Sequence, residues 1–230
     1  VIGYEVQTAM AAIDWLHQKH GDKAKSGVCG HTEGGLAAFY TAACDTRVNA
    51  ALVSGHFDNR QHTWAEPLYR NLFGLLHDFG DAEIASLIQP RGLVIEHSKT
   101  TRVTMFTAQK GDVRQPALAD VKAEIARIKG EPKPVLIEGT DSIPVAPFSE
   151  NALLVFAKQL GIETLAPVSK ELPKDKRAGF DPATRHERYF REMEQHVQRF
   201  VQQSEHVRDD AFLFKVMPEL ANNKWSTDPQ

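Results

Sequence analysis

Short apolar runs alternate with segments of helical spacing over the first 160 residues, and nothing else in the chain restricts its fold as much. The runs cover 25–29, 49–53, 92–95 and 134–137. Helical spacing covers 4–19, where Val6, Ala9, Met10, Ile13 and Leu16 recur on one face,. It returns over the alanine-rich 36–44, over 81–88, over 118–129 with Val121, Ile125 and Ile128 together, and over 151–160. Gly21 and Asp22 close the first helix, Gln89-Pro90 the third and Gly161 the last,. Such alternation predicts an α/β fold, a parallel sheet joined by right-handed crossovers with helices on both faces. The run Asn49, Ala50, Ala51, Leu52 and Val53 has no polar alternation beyond its first residue, so it is expected to be an inner strand,.

The stretch 54–79 between the second and third strands is polar and aromatic, with Trp64, Tyr69 and Phe73, and should contain a short helix. Residues 100–113 fit neither period. After Gly161 the composition shifts towards lysine, arginine and proline. The domain organisation expected is a domain over 1–163, a linker over 164–182 and a helical extension over 183–230. The extension begins with a long charged helix over 182–207 whose apolar stripe is Phe190, Met193, Val197, Phe200 and Val201. That stripe reads as a docking face for a domain, or as a dimer helix. An apolar patch follows over 211–217.

With 42% hydrophobic and 25% charged residues among 230, the chain can bury a full core,. A formal charge of −3 gives no reason to expect nucleic acid or an anionic membrane as partner,. No run approaches the ~18 apolar residues of a membrane helix. Cys29 and Cys44 are expected to be buried thiols rather than a disulfide or metal pair. The chain opens on Val1, already leading into a helix, with no signal-peptide pattern,. An amino-terminal part, with any targeting signal, is therefore expected ahead of it. The compartment, export included, stays open.

The segment Gly30-His31-Thr32-Glu33-Gly34-Gly35 carries the most chemistry. A strand runs into a sharp turn and then a helix, with Thr32 central and a glycine two positions away on each side. Such a turn holds its central residue in a strained conformation and lifts the side chain above the carboxyl ends of the strands. The N–H of Glu33, at the helix start, would face a developing oxyanion. This segment resembles the Gly-His-Ser-x-Gly-Gly nucleophile elbow of α/β hydrolases, with threonine in place of serine. Ala12-Ile13-Asp14-Trp15-Leu16, Ala50-Ala51-Leu52-Val53-Ser54-Gly55 and Ile88-Gln89-Pro90-Arg91-Gly92-Leu93-Val94-Ile95-Glu96 extend the resemblance to dienelactone-hydrolase-like and acetyl-xylan-esterase-like members. It implies that first strands of the sheet and a second oxyanion donor precede the chain, and that the activity is hydrolysis of a carboxylic ester, of a small molecule or carbohydrate.

The resemblance also implies an acid and a histidine base after the later strands. Glu96 is the nearest match for the acid, with Asp112 the second choice. After the last strand, residues 138–148 contain no histidine. His97, His31 and His56 are the substitutes within the chain, and the base could also come from outside it. His31, His56 and Trp64 are candidates for substrate contact. Two function classes follow: an esterase using Thr32, Glu96 and His97 with the Glu33 N–H as oxyanion donor, or a catalytically inactive pseudo-hydrolase that binds a ligand or serves a larger protein. No cofactor is expected, since the glycine segment lacks both phosphate-loop and dinucleotide spacing. His56, Asp58 and His62 match no metal-ligand spacing.

Overall fold

The computed structural model describes residues 2–100, 103–104, 111–169, 171–172 and 174–218. The chain forms two compact units, over 1–168 and 169–230.

The first unit runs α1 (Ile2–His20), β1 (Ser26–His31), α2 (Glu33–Cys44), β2 (Val48–Ser54), α3 (Leu75–Asp78), α4 (Asp81–Ile88) and β3 (Gly92–Glu96), then β4 (Val103–Thr104), β5 (Asp112–Val113), α5 (Leu118–Arg127), β6 (Val135–Ile137) and α6 (Glu150–Gln159). The main sheet has the order β1-β2-β3-β6, parallel throughout. β4 and β5 make a separate antiparallel pair. Most of the unassigned segment around it, 101–102 and 105–110, lies outside the described residues.

Pleat parity sorts the core into two layers. Ala51 and Val53 of β2 and Leu93 and Ile95 of β3 face a cluster with Ile13, Phe39, Ala42, Ile84, Ile88 and Val121, from α1, α2, α4 and α5,. Leu52, Val94 and Ile137 point the opposite way, onto Ala152, Leu153 and Phe156 of α6. Helices therefore cover both faces, as the alternation predicts. Phe39 and Ala42 are wholly buried, and a phenylalanine buried to that degree contributes about 2–3 kcal/mol,.

The long connection after β2 holds 3₁₀ turns at Thr63–Ala65 and Leu68–Arg70, followed by the single turn of α3. The cysteines depart from expectation, for both are exposed. Cys29 lies on β1, an end strand of the four in the sheet, and Cys44 is the last residue of α2. Partial burial still raises the Cys29 thiol pKa.

In the second unit, α7 (Pro182–Arg208) is capped by the Asp181 carboxylate, which accepts from the Ala183 N–H,. A π-helical turn, Asp209–Leu213, follows and leads into α8 (Phe214–Val216). α7 buries no residue.

Candidate functional site: the turn between β1 and α2

Thr32 joins β1 to α2 with φ 51° and ψ −108°, a combination that L-residues rarely adopt,. The turn is fixed on both sides. Its N–H donates to Ser54 O at 2.9 Å, on β2, and its carbonyl accepts the Leu36 N–H at 3.0 Å, in α2. Glycine is required at position 30, where a Cβ would stand 1.9 Å from Gly34 O. Gly34 is not required in the same way, because a Cβ there would meet nothing within 4 Å. Thr32 is half-buried, and its hydroxyl makes no cap to α2. The N–H groups of Glu33, Gly34 and Gly35 stand in the first turn, where helical geometry supplies no acceptor,. The turn thus offers a hydroxyl beside free backbone donors.

The other members of the expected triad do not converge on that hydroxyl. Glu96 is 2% exposed. Its Oε2 accepts from Ser54 Oγ at 2.5 Å and from the Phe148 N–H at 2.9 Å. Its Oε1 accepts from the Ser149 N–H at 2.8 Å and from Ser149 Oγ at 2.7 Å. Four donors thus occupy the carboxylate, and none is a histidine. Parity explains the assignment. Glu96 shares the α6 face with Val94, and Ser54 is its direct partner across the β2–β3 ladder. The carboxylate also lies at the start of α6, where the macrodipole favours negative charge,.

His97 stands one residue on and faces the opposite way. It is buried, with Nε2 at 3.1 Å from Pro116 O, ahead of α5. Its Nδ1 is buried and has no partner among the described residues. Its backbone N–H donates to Ile137 O at 2.8 Å, which fixes it between β3 and β6. Glu96 and His97 therefore do not form the pair expected of them. Asp112 lies in β5, paired with Thr104.

His31, in β1, donates from Nε2 to Lys99 O at 2.8 Å, and its ring meets Phe148 edge-on at 6.4 Å between centroids. The loop after β6 thus reaches the turn through Phe148, in the stretch where the resemblance places a base.

His56 is buried. Arg60 Nη2 donates to its Nε2 at 2.7 Å, and Arg70 Nη2 lies 3.1 Å from its Nδ1. Burial, reinforced by the two guanidinium charges, holds its pKa well below the ordinary histidine value,. Arg60 pairs with both oxygens of Asp81, at 2.9 and 2.7 Å. Tyr40, beside this cluster, has its pKa raised to about 12, first by burial and then by Asp81. Arg70 leaves Nε and Nη1 unbonded among the described residues, though Nη1 comes within 3.4 Å of Glu33 Oε1. Tyr69 donates to the same Glu33 oxygen at 2.9 Å. The connection after β2 is thereby tied to the first turn of α2. Trp64 is 83% exposed, on a 3₁₀ turn of that connection.

Sequence reasoning missed the partners that matter most here. Ser54 and Ser149 engage Glu96, and Arg60 and Arg70 enclose His56. Register and the Ser149 helix cap could have suggested the serines. Nothing local marks the arginines, because charged residues in a connecting segment usually face water. No grouping of three or more His, Cys, Asp or Glu side chains suited to a metal occurs among the described residues.

No family model matches the sequence, and no curated protein matches it. Two solved chains, both glucuronoyl esterase from Solibacter usitatus, are similar to it at 16% and 17% identity. Each has a TM-score of 0.40 over 67% of this chain and 47% of the other. The chain thus spans about half the length of those esterases.

Proposed function

We propose that the chain is an α/β-hydrolase-type domain in which the elbow is kept as a binding or structural element and ester hydrolysis is not performed by its own residues. One observation carries this reading: the Glu96 carboxylate is filled by Ser54, Phe148 and Ser149. An acid so occupied cannot orient a base. Without the base, the pull on the Thr32 proton, worth about 10²–10⁴-fold, is missing. The hydroxyl is further hindered by its own methyl group, which restricts χ1. What remains is a set of backbone donors at the start of α2, suited to holding a carbonyl or carboxylate oxygen.

A second reading, an esterase acting on a carboxylic ester, draws on the Thr32 backbone. Strain of this kind persists where surrounding structure enforces it, and it clusters at functional sites,. The base would then come from outside the chain. Hydrolysis of p-nitrophenyl acetate by the wild type, Thr32→Ala and Thr32→Ser separates the two. The first reading expects equal rates for all three. A rate that falls at least tenfold in Thr32→Ala, or rises at least tenfold in Thr32→Ser, overturns it in favour of the esterase.

A further inference from the structure

α7 carries a seam with no partner among the described residues of its own unit. Counting from His186, apolar or small residues recur at Phe190, Met193, Val197, Phe200, Ser204 and Val207. The steps alternate four and three, a heptad spacing held for three repeats. A spacing of 3.5 residues is the period of a left-handed supercoil and differs from the 3.6 of a helix lying on a flat layer. Phe190, Phe200 and Val207 are each more than 60% exposed, and Val197 is 42% exposed. The π-helical turn at Asp209–Leu213 breaks the phase and so bounds the seam at its carboxyl end.

We propose that α7 pairs with α7 of a second copy of this chain, as an antiparallel two-stranded coiled coil about a two-fold axis. The inference does not depend on what Thr32 does. Its first support is volume. When the chains run antiparallel and the axis lies between positions 198 and 199, Phe190 faces Val207, Met193 faces Ser204 and Val197 faces Phe200, each pair occurring twice by symmetry. Every layer then sets a large side chain against a small one. A parallel pair sets Phe190 on Phe190, Phe200 on Phe200 and Ser204 on Ser204. Aromatic layers would then push the helices apart beside layers too small to fill the gap.

The second support is charge. In the antiparallel register the flanking Glu187 of one chain meets Arg208 of the other, giving two opposite-charge contacts. Glu187 Oε1 already accepts from Arg191 within the helix, at 2.9 Å from Nη2. Its Oε2 remains for the partner's arginine. Among the described residues, Arg208 pairs with Asp209 in its own chain, at 3.6 Å from Nε, a loose contact. The other flanking pairs, Glu194 with Val201 and His196 with Gln203, contain no like charges. With five arginines and four glutamates, α7 is nearly balanced, which suits a second copy better than an anionic surface,.

The full chain at tens of micromolar should sediment with twice its 25.6 kDa mass. Phe200→Glu should weaken dimerisation at least 100-fold, with far-UV circular dichroism confirming that the chain still folds. Glu187→Arg should weaken it about 3- to 10-fold, and adding Arg208→Glu should restore it. Direction is read by oxidative cross-linking with peptide mapping. Met193→Cys chains mixed with Ser204→Cys chains should form a 193–204 disulfide. Neither variant alone should cross-link at the new cysteine, since position 193 lies about 16 Å along the axis from its own copy. A monomeric wild type overturns the proposal, whether the stripe is then free or docked elsewhere. A larger oligomer, a 193–193 disulfide, or Phe200→Glu with unchanged mass does so as well.

Discussion

Two glycines in the same turn should respond to alanine in opposite ways. At Gly30 the added Cβ would stand 1.9 Å from Gly34 O, 2.0 Å from Gly34 C and 2.6 Å from Gly35 N. Ordinary contact needs about 3.4 Å, so the end of β1 and the start of α2 would have to part by about 1.5 Å. Every obstructing atom is backbone, so no side chain can rotate away. The helix cannot retreat cheaply either, because Leu36, Phe39 and Ala42 anchor it against the sheet. Overpacking in cores costs about 1–3 kcal/mol, occasionally more, and this site belongs at the upper end, at about 3 kcal/mol. At Gly34 the Cβ enters open space, φ is not positive, and alanine is the better helix former by about 1 kcal/mol,. Gly34→Ala is therefore expected to be neutral or to stabilise by up to about 1 kcal/mol. Urea denaturation followed by far-UV circular dichroism measures both. Trp15 and Trp64 are poor reporters, being largely exposed. A cost below about 0.5 kcal/mol for Gly30→Ala, or equal costs for the two variants, would refute the close strand–helix approach on which the turn is built.

Glu96→Ala should destabilise by about 3 kcal/mol or more, because the hydroxyls of Ser54 and Ser149 and the N–H groups of Phe148 and Ser149 lose their acceptor,. Faster hydrogen exchange at Ser149 and Ala152 should accompany it; unchanged stability would return Glu96 to the list of uncommitted carboxylates. His56 should make the fold acid-sensitive. Its folded pKa is depressed, so below the unfolded value of 6.5 the unfolded chain takes up a proton that the native chain refuses,. Stability contributed by this residue is complete above about pH 7 and falls as pH drops, by up to about 2 kcal/mol at pH 5. His56→Gln should lose that part of the slope in denaturation curves taken from pH 7 to 5. A slope identical to wild type would show that the ring is not held neutral between Arg60 and Arg70.

The strands and helices of the first unit were legible because hydrophobic period reports directly on which face is covered. All four strands of the main sheet lie where apolar runs occur, and the bounds of α4 coincide with the expected 81–88,. The turn at Thr32 was legible through its glycines, although of the two that flank Thr32 at two positions only Gly30 is sterically required. Burial of the cysteines was not legible: an apolar strand reads as buried, and only sheet order shows that β1 is an end strand. The pairing of Glu96 with His97 failed for a reason that the sequence did contain. Neighbouring residues on an extended chain point to opposite faces, so Val94 on the α6 side places Glu96 there and His97 away,. The arginines around His56 had no such signal, since a connecting segment of 25 or so residues brings distant side chains together without any period.

These hydrogen bonds form a connected series across the top of the sheet. The Thr32 N–H donates to the Ser54 carbonyl, the Ser54 hydroxyl to Glu96, and Glu96 accepts from Ser149 at the start of α6. The strained turn on β1 is thereby coupled through β2 and β3 to the helix on the far face. In a hydrolase, strain at the nucleophile and the charge of the acid both serve the reaction. Here the same two features, a positive φ and a buried carboxylate, bind strand ends to a helix cap. A buried carboxylate with one oxygen left for a histidine would be a reactive arrangement; with both oxygens filled it becomes a clamp. On the reading proposed above, hydrolysis would therefore require more than serine at position 32. It would require releasing Glu96 from Ser149, whose hydroxyl donates to that carboxylate and accepts the Ala152 N–H as the cap of α6, and so loosening the tie between β3 and the start of that helix.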